Sequence, residues 1–191
     1  MQQSKDDLVE VDGIRFQTLV PEHALPIPPL QPGADTPVQF GIRITNNTQT
    51  SHRFLLFFLF PTFLNAEGQV IKSEGPAINK TNVPQEADFP LAKSGESLIF
   101  FVKGRFVWDK NQIKCVVYLR DGGAWSFRNF QPGTHQVRFT YSNKTPVWNI
   151  YDGRLLKTSI EDVWTGMIST YFVDLHLVNS IPHNSGNRCN I

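Results

Sequence analysis

Apolar and polar residues alternate with a period of two along much of this chain, and proline and glycine keep each alternating run short. Residues 38–45 show the pattern most plainly. Val38, Phe40, Ile42 and Ile44 fall on one side of an extended backbone, and Gln39, Gly41, Arg43 and Thr45 on the other. A period of two is what a strand with one buried face requires, whereas an amphipathic helix repeats every 3.6 residues. The 191 residues contain 13 Pro and 13 Gly, which would interrupt helices but serve as turn residues between strands. Fifteen Phe and 15 Val stand against only 7 Ala, so intrinsic preference points to pleated, half-buried surfaces.

Further runs follow the same rule. Residues 14–20, 97–107, 112–120, 124–127, 135–141 and 168–178 are expected as strands, with a break at Gly104 in the second of these. In the last run Tyr171, Val173, Leu175 and Leu177 share one face, and Phe172, Asp174, His176 and Val178 the other. Residues 53–60 are apolar on both faces and predict a central strand covered on each side. Residues 65–68 and 121–123, and Tyr151-Asp152-Gly153, predict turns, and 155–163 is ambiguous. Five prolines between 21 and 33 rule out a helix or a central strand there. That stretch predicts a polyproline-like crossing or edge segment, with Leu25, Ile27 and Leu30 available for burial. Residues 73–91 hold three prolines and little periodicity, as in a long functional loop. The expected fold is all-β: an immunoglobulin-like antiparallel β-sandwich of roughly nine strands. It forms one domain over 1–191, with 1–12 and 179–191 as frayed tails.

Composition narrows the function. Eighteen basic side chains nearly cancel 17 acidic ones, so the basic stripe of a nucleic-acid binder is missing. The longest apolar run, 54–60, is far short of the roughly 20 residues of a spanning helix, and the polar start lacks a secretory signal. These features predict a cytoplasmic protein with no membrane span. Two cysteines, Cys115 in an apolar strand and Cys189 in the polar tail, cannot form a disulfide scaffold, and whether they pair is a geometric question.

No phosphate-binding loop, dinucleotide fingerprint, nucleophile elbow or zinc-hydrolase spacing occurs, which predicts a non-enzyme with no cofactor. Asp174 and His176 share a strand face and are weak candidates for metal ligands; a polar outer face is the plainer reading. Asn46-Asn47-Thr48, Asn79-Lys80-Thr81 and Asn143-Lys144-Thr145 match the glycosylation acceptor. Trp108, Trp125, Trp148 and Trp164 are the candidate partner-binding residues, Trp108 and Trp148 because they lie near loops. Core-end plugs are the alternative for all four, since tryptophan is highly buried on average.

Three local patterns carry a resemblance: Ile42 to Thr48 closing a strand, Leu91-Ala92-Lys93-Ser94-Gly95-Glu96-Ser97, and Phe130-Gln131-Pro132-Gly133 leading into 134–139. They resemble bacterial immunoglobulin-like sandwich proteins, and more weakly the intracellular proteinase inhibitor family. His135 stands where many such domains place a corner tyrosine. Trp164-Thr165-Gly166, Thr170, Val173 and Leu177-Val178 are similar to the closing strand of an uncharacterised cyanobacterial-type group. The function expected is a non-catalytic interaction or scaffold module binding a protein partner, through 73–91 and the strand-end tryptophans. The alternatives are a protease inhibitor using an exposed loop, the same 73–91 or 46–51, and a carbohydrate-binding sandwich. Exposed edges in a Phe- and Val-rich sandwich also predict self-association into a homo-oligomer.

Overall fold

A computed structural model describes residues 8–57, 59–76, 82–151 and 157–179. The turn at Asp152-Gly153, the Asn79 triplet, Cys189 and the tails 1–7 and 180–191 lie outside the described residues.

Two antiparallel sheets pack face to face. One has seven strands in the order β1 (Val9–Val11), β2 (Ile14–Leu19), β4 (Asp35–Asn46), β10 (Ser97–Asp109), β11 (Gln112–Tyr118), β12 (Ala124–Phe130) and β8 (Ser73–Pro76). The other runs β3 (Ala24–Pro26), β17 (Val173–Val178), β13 (Gly133–Asn143), β6 (Phe60–Leu64) and β7 (Val70–Ile71), with β16 (Gly166–Ser169) also on β13. Two ribbons complete the described residues: β5 (His52–Arg53) with β9 (Leu91–Ala92), and β14 (Trp148–Tyr151) with β15 (Lys157–Ile160). These seventeen strands exceed the expected nine because pieces of two to four residues surround the longer ones. No helix among the described residues is long and apolar enough to cross a membrane.

The alternating faces meet where the sequence pattern puts them. Phe40 and Phe106 of one sheet reach Phe63 of the other through edge-on ring contacts; Phe40 and Phe63 are 5.3 Å apart, and Phe130 links Phe63 to Phe106. A second aromatic knot, of Phe16, Phe54, Tyr141 and Trp164, closes one end of the core. Edge-on and tilted rings match the aromatic quadrupole, so these pairs add to what burial alone contributes.

Four expectations need correcting. The run 53–60 is not a central strand: among its described residues only Arg53, in His52–Arg53, and Phe60, opening the next strand, belong to ladders. Its two apolar faces have another cause. Phe54, Leu56 and Leu59 enter the main core, while Leu55 and Phe57 enter a separate cluster with Phe89, Ile160 and Val163. An irregular buried segment must still satisfy its backbone. Phe54 and Leu56 N–H donate to the Pro90 and Asp88 carbonyls, and Leu55 N–H to the Tyr141 hydroxyl at 3.2 Å. The same hydroxyl donates to Trp164 O at 3.1 Å, and burial pushes its pKa up, so it keeps the proton it donates. Tyr141→Phe should therefore cost about 2 kcal/mol in urea unfolding, because it strands a buried N–H. A loss below about 0.5 kcal/mol would reject this role.

The run 168–178 is two strands, not one. Thr170 interrupts it: its hydroxyl accepts from Phe139 N–H at 2.9 Å, and its own N–H donates to Phe139 O. The chain thus leaves one half of β13 as β16 and rejoins the other half as β17. Thr18 of the facing sheet binds the same hydroxyl at 2.6 Å, which ties the two layers at this edge. Gly104 does not break its strand; it pairs with Val38 and Val117 in unbroken register. In the proline-rich segment, β3 lies parallel to β17 and buries Leu25 and Ile27, whereas Leu30 is 71% exposed. The edge strands β1, β8, β3 and β7 are short, which limits edge-to-edge pairing.

Candidate functional site

One end of the sandwich carries a second apolar cluster, built around the two ribbons and the 3-10 turn Glu86–Asp88. Leu55, Phe57, Phe89, Ile160 and Val163 are its buried members, and Trp148 packs on Phe89 with ring centroids 5.8 Å apart. Phe89 anchors residues 82–91 on this cluster. Above it opens a cleft of about 540 Å³, lined by Phe57, Asn82, Val83, Gln85, Ala87, Asp88 and Arg120.

The cleft is braced by charge. Asp88 is buried, accepts Gln85 N–H at 2.8 Å, and is ion-paired with Arg120. The Arg120 guanidinium also lies 5.1 Å over the Phe100 ring. Asn82 is held to the opposite wall through Nδ2 to Arg120 O at 2.9 Å. Asp121 is buried beside it and accepts Gly123 N–H at 2.8 Å, which fixes the turn. Val83, by contrast, is 61% exposed on the rim. The lining polar groups Asn82, Asp88 and Arg120 hold one another, and the exposed Val83 stands at the edge.

The residues singled out in the sequence are dispersed. Trp164 is buried in the aromatic knot, and its ring covers Gly166 so closely that a Cβ there would sit 2.4 Å from it. This explains the Trp-x-Gly spacing as packing. Trp108 is half-buried and donates to Pro28 O at 2.7 Å, pinning the proline-rich segment. Trp148 donates to Asn143 Oδ1 at 3.2 Å, and Trp125 packs edge-on against Phe60 at 4.7 Å. Trp148 alone of the four adjoins the cleft's floor. Asp174 and His176 do share the outer face of β17, as expected, and each binds a cross-strand neighbour. Asp174 Oδ1 accepts Gln136 Nε2 at 2.9 Å, and His176 Nδ1 lies 3.0 Å from Thr134 Oγ1. Among the described residues no group of three or more His, Cys, Asp or Glu that could hold a metal comes together. Cys115 is fully buried and free, and burial pushes its thiol pKa up, away from the reactive thiolate.

Sequence reasoning missed three kinds of residue. Asp88 and Arg120 are 32 positions apart and carry no motif. His135 is buried against Phe130, and its Nε2–H donates to Gln131 O at 2.8 Å, a bond that no sequence pattern signals. Asn46 and Asn143 are buried hubs, not surface acceptors for sugar. Each side-chain oxygen accepts the N–H of the threonine two residues on, and each side-chain nitrogen donates to two carbonyls. The signal was present, since an Asn-x-Thr directly after an alternating run is also an Asx-turn pattern.

No family model matches the chain, and no curated protein or solved structure matches it either.

Proposed function

We propose that this chain is a non-catalytic protein-interaction module on an immunoglobulin-like sandwich, acting in the cytoplasm. The immunoglobulin-like assignment draws on the strand order. β4 lies beside β10 in one sheet, β13 lies between β17 and β6 in the other, and β3 runs parallel to β17. The hairpin of β11 and β12 is then an insertion between β10 and the edge strand β8.

The observation that carries the functional reading is the exposed Val83 on the rim of a cleft whose walls are fixed by the Asp88–Arg120 pair and floored by Phe57. A pre-shaped concavity with an apolar rim lowers the ordering cost of binding a protein partner. Sugar stacking has less support, because Trp164 is buried and Trp108 and Trp148 are half-buried with their indole N–H groups engaged. Loop-mediated protease inhibition gains no specific support from 46–51, where Asn46, Thr48 and Thr50 bind one another.

Val83→Asp places a charge on the rim without touching the core. Cross-linking pull-downs with the full chain should recover a reproducible protein partner that the variant loses by at least tenfold, with an unchanged melting temperature. Equal recovery by both chains would reject the cleft.

A further inference from the structure

The outer face of the six-stranded sheet holds an arginine with no hydrogen-bond acceptor among the described residues. Six of the seven described arginines donate a hydrogen bond: Arg15 to Glu10, Arg43 to Gln17, Arg53 to Phe89 O, Arg105 to Asp35, Arg120 to Asp88 and Arg128 to Glu74. Arg138 makes none among the described residues, and its Nε is fully covered with no acceptor. It sits midway along β13, opposite Thr62 of β6, with its guanidinium 4.5 Å over the Phe172 ring. Asp174 shares this face, but its carboxylate takes Gln136 and makes no ion pair with Arg138.

The covered Nε–H is closed to a partner as well as to water, so a docked carboxylate meets the Nη edge of the fork, which is not covered and makes no hydrogen bond among the described residues. Stacking on Phe172 fixes the plane of the fork, and a planar fork matches a carboxylate through two parallel bonds. The surroundings are those of a protein contact. Met167, on the same face and paired with Ser142, is 74% exposed, and Tyr171 beside Phe172 is 52% exposed. Thr140 with Ser169, and Thr134 with His176, form a hydrogen-bonded polar border. An arginine anchor among aromatic and methionine side chains, bordered by polar groups, is the usual composition of an interface centre.

We propose that this face docks an acidic protein segment, which sets an Asp or Glu carboxylate on Arg138 and apolar side chains against Phe172 and Met167. It deepens the interaction-module reading by adding a second surface, on the sheet and away from the loop-end cleft, with a stated partner chemistry.

A displayed library of random 12-residue peptides, selected on the full chain, tests it. The selected peptides should carry an acidic residue next to apolar ones, and should shift backbone amide resonances of Thr62, Arg138 and Phe172. Arg138→Gln should weaken them at least tenfold, and Arg138→Lys nearly as much, because the lysine keeps the charge but loses the fork. Val83→Asp should leave their affinity unchanged. Thermal melts identify any variant that fails to fold, and Met167→Glu, a fully surface change that repels an acidic segment, then stands in for it with the same expected loss. Selected peptides without an acidic residue, or bound equally by Arg138→Gln and Met167→Glu, would overturn the proposal. Peptides lost on Val83→Asp but kept by Arg138→Gln would also overturn it, while leaving the cleft reading intact.

Discussion

Asn143→Asp should destabilise the protein by about 3 kcal/mol or more, although it exchanges one side-chain atom for another of nearly the same size. Asn143 is buried at the end of β13 and makes four contacts that need an amide. Its nitrogen donates to Thr145 O and Trp164 O, both at 2.9 Å, and its oxygen accepts Thr145 N–H and the Trp148 indole. A carboxylate turns the donor nitrogen into an acceptor facing two carbonyls, and it buries a charge. Each buried group left unmatched costs roughly 1–3 kcal/mol. In a domain of this size that is a fall of about 10 °C in melting temperature. Asn149→Asp, the same change at an exposed position, should stay within about 0.5 kcal/mol. Urea unfolding at neutral pH measures both, and equal midpoints would show that Asn143 is no hub. Because Asn143 also holds the Trp148 indole, the variant should loosen the second apolar cluster first, which tryptophan fluorescence would register ahead of the main transition.

Gly41→Val should be at least as damaging, about 3 kcal/mol or more, for a purely steric reason. A Cβ at Gly41 would lie 2.2 Å from Phe100 O and 2.5 Å from Phe101 Cδ1. The ring can rotate aside, but the carbonyl belongs to the β4–β10 ladder, whose register is continuous from Asp35 opposite Val107 to Thr45 opposite Ser97. Adding a side chain must push those two strands apart at the centre of the seven-stranded sheet. Glycine inside a strand commonly marks such a close approach. Gly68→Ala is the contrast: its φ of +74° is unfavourable for alanine, but nothing lies within 4 Å of the new Cβ. That variant should lose only about 1–2 kcal/mol. Calorimetry showing Gly41→Val melting with the parent chain would contradict the packing described.

Much of the fold was legible in the sequence, and the errors have causes. Strands β4, β10, β11, β12 and β13 fall where alternation placed them, because one buried face imposes a period of two regardless of the partner strand. The 54–59 segment was misread because a two-faced apolar run has the same sequence signature between two clusters as inside a sheet. The split of 168–178 depends on one hydroxyl, that of Thr170, finding Phe139 and Thr18 from distant parts of the chain. The candidate site was less legible than the fold. Loop 73–91 was marked by its prolines, but the ion pair that shapes its cleft joins residues with no common motif. Tryptophan content pointed to binding surfaces, and all four indoles pack in or against the two apolar clusters, Trp108 being pinned to a backbone carbonyl as well.

By itself the sequence determined the class of backbone, the inward face of most long strands and the turns at 65–68 and 121–123. These follow from local preference and periodicity, which each segment carries within itself. Tertiary structure decided which strands are neighbours, which polar side chains become buried hubs, and which of the described arginines is left without a hydrogen-bond acceptor. Those outcomes depend on the distance between residues far apart in the chain, and a hydrogen bond or an ion pair exists only once folding has set that distance.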